Sequence, residues 1–125
     1  MNRSSQVKPR LLVVEDDRTT SSALRAIFHR KGWEVFTASS LAEALPLLST
    51  IPSPDYLILD LMLPDGDGMT LLERVRGESL ATRVAVTTGS NDQHRLDAVA
   101  RLRPEVFLRK PISLQELLKG FGVDS

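Results

Sequence analysis

Five short β-rich apolar runs recur along the chain, at Leu11–Val14, Val35–Ala38, Tyr56–Leu59, Val84–Thr87 and Val106–Leu108. Each is followed by a stretch with helical spacing, and this alternation is the strongest constraint on the fold. The first stretch, Thr19 to Lys31, sets Leu24, Ile27 and Phe28 on one face and meets a stop at Gly32. The second opens with Ser40 and Glu43 in capping-box spacing and carries Leu41, Ala44, Leu45 and Leu48. Pro46 predicts that it is short or kinked. The third covers Met69–Arg76, with Leu72 and Val75 inward. The fourth covers Asp92–Arg103, with Leu96, Val99 and Ala100 inward, and ends at Pro104. The fifth opens with Ser113 and Glu116, again a capping box, and places Leu114, Leu117, Leu118 and Phe121 on one stripe. Strands separated by helices of this length pair in parallel through right-handed crossovers. Runs that are apolar at consecutive positions are buried on both faces. The expectation is α/β: an open, doubly wound, five-stranded parallel sheet of the form (βα)5.

With 125 residues, 42% of them hydrophobic, the chain has one domain's worth of core. Residues 1–8 read as a flexible N-terminal arm and residues 9–125 as the domain. Lys plus Arg and Asp plus Glu each number 16, so no basic excess exists for gripping a nucleic-acid backbone. The absence of cysteine excludes disulfides, thiolate metal sites and cysteine nucleophiles. No apolar run is long enough to span a bilayer. Met1–Arg10 is polar and basic without the apolar stretch of a signal peptide, which leads to an expectation of a cytoplasmic protein.

In an open parallel sheet, ligands bind beyond the carboxyl ends of the strands. Those positions hold Glu15-Asp16-Asp17, Asp60, Thr87-Thr88-Gly89 and Arg109-Lys110-Pro111, whereas the second strand ends in Ala38-Ser39. Carboxylates converging on one cleft repel each other, and a hard divalent cation relieves this through oxygen ligands. A lysine supplies a compact positive charge for a phosphate oxygen, and a threonine hydroxyl can donate to another. The constellation suits a phosphoryl group held beside Mg²⁺, with a carboxylate as nucleophile. Taken alone, Glu15-Asp16-Asp17 would also serve as a helix N-cap. Asp65-Gly66-Asp67-Gly68 lacks an EF-hand's ligand at Met69 and its glycine at Thr70, so it reads as a turn. His29 and His94 stand alone at helical positions and read as surface residues.

The sequence resembles the receiver domain of bacterial two-component response regulators. The resemblance rests on Val13–Asp17, on Leu59–Gly68, on Thr88-Gly89 and on Lys110-Pro111, and it covers the chain from about Pro9 to Phe121. Asp60 follows Asp16 by 44 residues, Thr88 follows Asp60 by 28, and Lys110 follows Thr88 by 22. The family implies the flavodoxin-like strand order 2-1-3-4-5. It implies Asp60 as phosphoacceptor from a phosphohistidine, and Mg²⁺ held by Asp16, Asp60, the Met62 backbone carbonyl and, through water, Glu15. Lys110 would pair with the phosphoryl group. Thr88 and Phe107 would form a switch, and Lys110-Pro111 would be cis. The implied readout is a changed surface on the fourth helix, fifth strand and fifth helix. The implied partners are a sensor histidine kinase or phosphotransfer protein, and a downstream target or an effector domain outside this chain. Direct nucleic-acid binding and membrane association are not expected, and the chain would be a monomer or a phosphorylation-dependent dimer. Such a domain catalyses its own phosphorylation and dephosphorylation without being a metabolic enzyme. Glu15 stands where aspartate is commoner, and Arg101–Glu105 lacks the family's usual Gly-Ala.

Three rivals make different demands. A Mg²⁺-dependent aspartyl-phosphate hydrolase needs a general acid two residues after its nucleophile, where this chain has Met62. A pseudo-receiver, acting as a constitutive interaction module, would have lost part of the set Glu15, Asp16, Asp60, Thr88 and Lys110. A flavin-nucleotide binder wants hydroxyls, not acids, after the first strand. No P-loop and no nucleophile-elbow serine motif is present.

Overall fold

The computed structural model describes residues 8–50, 53–78 and 80–123. The predicted arm, residues 1–8, lies outside them except for Lys8, as do residues 124–125 of the predicted domain. The main elements run β1 (Arg10–Val14), α1 (Arg18–Arg30), β2 (Glu34–Ala38), α2 (Leu41–Leu48) and β3 (Tyr56–Asp60). A small hairpin, β4 (Met62–Leu63) and β5 (Gly66–Asp67), follows. Then come α3 (Met69–Gly77), β6 (Arg83–Thr88), α4 (Gln93–Arg101), β7 (Val106–Arg109) and α5 (Leu114–Phe121). The five long strands pair in parallel in the order β2-β1-β3-β6-β7, which is 2-1-3-4-5 when only those strands are counted.

Side chains alternate across the sheet and so build two cores. On one face Leu12, Val14, Leu57, Leu59, Val84 and Val86 pack against α2, α3 and α4 through Ala44, Leu48, Leu72, Val75 and Val99. On the other, Leu11, Val13, Ile58 and Ala85 pack against α1 and α5 through Leu24, Phe28, Leu117 and Phe121. Leu11 through Val14 have no exposed surface, as consecutive apolar positions predict for a sheet covered on both sides.

The caps place the helices. Asp17 accepts from the Thr19 N–H and the Thr20 hydroxyl, so α1 begins at Arg18. Ser40 and Ser113 accept from the N–H groups of Glu43 and Glu116 at the starts of α2 and α5. Glu43 does not return the bond to Ser40 as a full capping box would; its Oε1 accepts from the N–H and hydroxyl of Ser39. Helix α2 is short, eight residues with Pro46 inside it. Helix α4 stops at Arg101, two residues before the predicted end. The Leu102 and Arg103 N–H groups bond three residues back, to Val99 and Ala100, and Arg103 takes φ 52°. Arg76 of α3 then donates to the carbonyls of both Leu102 and Arg103, fixing this end of α4 without the Gly-Ala pair.

Candidate functional site

The carboxyl ends of β1, β3, β6 and β7 meet at one edge of the sheet. Glu15, one residue past β1, is 3% exposed, and its N–H donates to Ala38 O. Asp60 closes β3 and is 4% exposed. Asp16 points outward and is exposed. Glu15, Asp16 and Asp60 each offer a carboxylate oxygen, and these oxygens lie within 4.8 Å of one another. Lys110 reaches in from the end of β7, with its Nζ 2.9 Å from Asp60 Oδ2 and 3.0 Å from Glu15 Oε1. The Lys110-Pro111 peptide is cis.

The electrostatics follow from burial and pairing. Burial raises the Glu15 carboxyl above its ordinary range, against the lowering pull of Lys110 and of the Asp17 N–H. Burial would lower the Lys110 ammonium, but its bonds to Asp60 and Glu15 outweigh this and raise it. One ammonium therefore faces two buried acids, and an exposed third lies beside those two. This oxygen-rich, anionic donor set fits a hard divalent cation.

Around Asp60 the chain supplies further order. The Met62 N–H donates to Asp60 Oδ1 at 3.0 Å, while the Met62 side chain is 56% exposed. Thr88 is fully buried at the end of β6, and its hydroxyl accepts from the Ser90 N–H at 2.9 Å. Space beside Gly89 is open: a Cβ there would meet nothing within 4 Å. Phe107 is paired with Val86 in the sheet and is 36% exposed, so its ring lies at the surface beside Leu96 and Arg109. The structure therefore gathers Glu15, Asp16, Asp60 and Lys110 into one cluster. It sets Met62 against Asp60 through the backbone and places Thr88 and Phe107 on the neighbouring strands. Asp17, the third acid of the run, is the helix cap. His29 and His94 are exposed.

Four residues near the site have contacts that the sequence does not disclose. Asp65, in the turn of the β4–β5 hairpin, accepts from the Leu41 and Ala42 N–H groups and caps α2 from outside. Arg95 of α4 donates to Leu61 O at 3.0 Å and pairs with Asp67 at 3.2 Å. Thr87, paired with Asp60 in the sheet, has a buried hydroxyl with no partner among the described residues. Gly68 packs against the Asp60 backbone. A turn signal marks Asp65 and Gly68, and a strand end marks Thr87, but no spacing in the sequence points to the partners of Arg95 or to the unpartnered hydroxyl of Thr87.

Comparison with known proteins bears on the same residues. The family described as the response regulator receiver domain matches residues 11–121. The transcriptional regulatory protein TrcR of Mycobacterium tuberculosis is 33% identical over 111 residues, covering 87% of this chain and 42% of that protein. The alkaline phosphatase synthesis regulatory protein PhoP of Bacillus subtilis is 30% identical, covering 86% of this chain and 45% of that protein. The chain thus spans about half the length of the curated relatives it matches. Among solved structures, a response regulator of Chloroflexus aurantiacus is 34% identical with a TM-score of 0.78, covering 90% of this chain and 93% of that one. A CheY-like receiver of Methanospirillum hungatei shares the fold at a TM-score of 0.84 and 22% identity, covering 93% of this chain and 92% of that one. The family match takes in the acids after β1, Asp60, Thr88 and Lys110 in a single stretch, and on that ground the chain belongs to the response regulator receiver domain family of two-component signalling.

Proposed function

We propose that Asp60 accepts a phosphoryl group from a phosphohistidine of a sensor kinase or phosphotransfer protein, and that the domain thereby switches its output surface. The observation that carries this reading is the single cluster of three carboxylates with Lys110 bonded to the two buried ones. An Asp60 oxygen attacks phosphorus as the phosphorus–nitrogen bond breaks. The electron pair of that bond goes to the imidazole, and the product is an acyl phosphate. Charge spreads over the equatorial oxygens on the way, and Lys110 moves its bond from Asp60 Oδ2 to one of them. The Met62 N–H holds the other Asp60 oxygen, so the carboxylate is oriented before the reaction. Water attacking the same phosphorus releases inorganic phosphate and regenerates the carboxylate. Glu15, Asp16, Asp60 and the Met62 carbonyl would hold Mg²⁺, which when bound neutralises charge on the phosphoryl oxygens.

Thr88 leaves the Ser90 N–H for the phosphoryl group, and Phe107 turns inward from its surface position. The readout is a population shift on the face of α4, β7 and α5. An open apolar groove of about 330 Å³ lies beside Lys110, lined by Thr20, Ala23, Ile27, Pro111, Ile112 and Leu114. It offers an apolar seat for the phosphodonor protein next to Asp60. We place this activity in the cytoplasm, in a monomer or a phosphorylation-dependent dimer, with a target protein or an attached effector domain downstream. No helix among the described residues is long and apolar enough to cross a membrane.

Intact mass after incubation with acetyl phosphate and Mg²⁺ tests the reading. One phosphoryl adduct is expected, absent without Mg²⁺ and absent in Asp60→Asn. No adduct together with no Mg²⁺ binding would leave a constitutive interaction module.

A further inference from the structure

The carbonyl of Leu61 and the N–H of Met62 belong to one planar peptide unit, so one cannot turn without the other. The N–H end holds Asp60 Oδ1 at 3.0 Å. The carbonyl end accepts two bonds, from the Gly68 N–H at 2.8 Å and from Arg95 Nη2 at 3.0 Å. Gly68 lies in the same loop, whereas Arg95 comes from α4. The same Arg95 nitrogen lies 3.2 Å from Asp67 Oδ1, which also accepts from the Met69 N–H. A guanidinium on the carbonyl polarises the peptide and strengthens the bond its N–H makes.

We propose that Arg95 is a positioning residue for the phosphoryl chemistry at Asp60, acting through the Leu61–Met62 peptide; this rests on the receiver reading above. Arg95 never touches the reacting group. It fixes the peptide that fixes the carboxylate, and it ties that peptide to α4. A second chain of bonds reaches the same turn of α4. Thr88 Oγ1 accepts from the Ser90 N–H, Ser90 Oγ from the Asp92 N–H, and Asp92 Oδ1 from the His94 and Arg95 N–H groups. When Thr88 lets go of Ser90, the start of α4 loses its anchor and Arg95 draws away from Leu61. Asp60 and α4 therefore constrain each other. The far end of α4 stays held by Arg76.

The test compares wild type with Arg95→Gln, Arg95→Lys and Asp67→Asn, by the ¹⁵N–¹H resonance of Met62 and by acetyl phosphate kinetics with Mg²⁺. Arg74→Gln, which loses only an exposed pair with Glu78, is the control. Arg95→Gln is expected to move the Met62 resonance and to slow maximal phosphorylation roughly tenfold, with the half-saturating acetyl phosphate concentration unchanged. Arg95→Lys keeps a cation and restores part of the rate. Should Arg95→Gln not fold, Asp67→Asn reads the same contact, because its side-chain oxygen still accepts from Met69. An unmoved Met62 resonance, or an unmoved rate in phosphorylatable variants, overturns the proposal and leaves the receiver reading standing. Wild type that takes no phosphoryl group overturns the receiver reading, and the role of Arg95 falls with it.

Discussion

A Cβ added to Gly68 would lie 2.3 Å from the Asp60 carbonyl oxygen and 3.0 Å from Leu59 Cδ1. The Gly68 backbone has φ −57°, which any residue adopts, so the requirement is one of space alone. Backbone rather than a flexible side chain stands in the way, and only a shift of α3 or β3 would relieve the clash. Gly68→Ala is therefore expected to cost about 1–3 kcal/mol, read as a lower urea midpoint, and to slow phosphorylation by displacing Asp60. Gly77, at the end of α3, has nothing within 4 Å of its added Cβ. Gly77→Ala should stabilise the fold by about 0.5–1 kcal/mol, the helical preference for alanine, read as a higher urea midpoint. Equal effects of the two substitutions would show that packing against Asp60 is not the constraint on position 68.

At the scale of elements, the hairpin after Asp60 and the start of α2 are one unit. Ser40 satisfies the Glu43 N–H, and Asp65 satisfies those of Leu41 and Ala42 from a segment more than twenty residues away. These two backbone bonds hold the Asp65 carboxyl below its ordinary value of 3.8. A lowered folded pKa contributes stability above the unfolded value and loses it as the pH falls through the folded one. The urea midpoint of Asp65→Asn should thus lie below that of wild type near neutrality, and the gap should close as the pH drops below the ordinary aspartate range. A gap that stays constant down to about pH 3 would mean that charge on Asp65 plays no part in the cap. The same unit shows what sequence could disclose. Ser40, Ser113 and the strand ends were legible because a cap or a strand terminus is set within a few residues. Asp65, Arg95 and Arg76 were not, since their partners lie 24, 34 and 26 residues away and only the packed fold brings them together. The Glu15-Asp16 pair, Asp60 and Lys110 are even farther apart, but each stands at or just past the end of a strand. Knowing that the strands are parallel was enough to put them on one edge.

The whole molecule is polarised along its strands. Acids and Lys110 occupy the carboxyl edge, whereas aromatics gather at the opposite one. Phe28, Trp33, Tyr56 and Phe121 form a continuous run of tilted and edge-on ring contacts with centroids 4.7–4.8 Å apart, joining α1, the start of β2, the start of β3 and α5. Such pairs add about 0.5–1.5 kcal/mol each beyond the area they bury, so this end anchors both α1 and α5. Trp33 is the sole tryptophan of the chain. It touches Tyr56, and three further residues of β3, Leu57 to Leu59, separate Tyr56 from Asp60, about 13 Å along the strand. A ligand at the acidic edge is therefore too far from the indole to quench it by contact. Two outcomes follow for urea unfolding monitored by Trp33 emission. Mg²⁺ should leave the native emission unchanged, because Trp33 packs at the opposite end of β3 from Asp60. It should nevertheless raise the midpoint, because a ligand that binds only the folded chain stabilises it by about 2.7 kcal/mol at a hundredfold excess over its Kd. Asp16→Asn, which removes the exposed acid without touching the core, should abolish the Mg²⁺-dependent rise. A change in native emission on adding Mg²⁺ would show that the acidic and aromatic edges communicate through the sheet. An unmoved midpoint would show that the three carboxylates do not hold the ion.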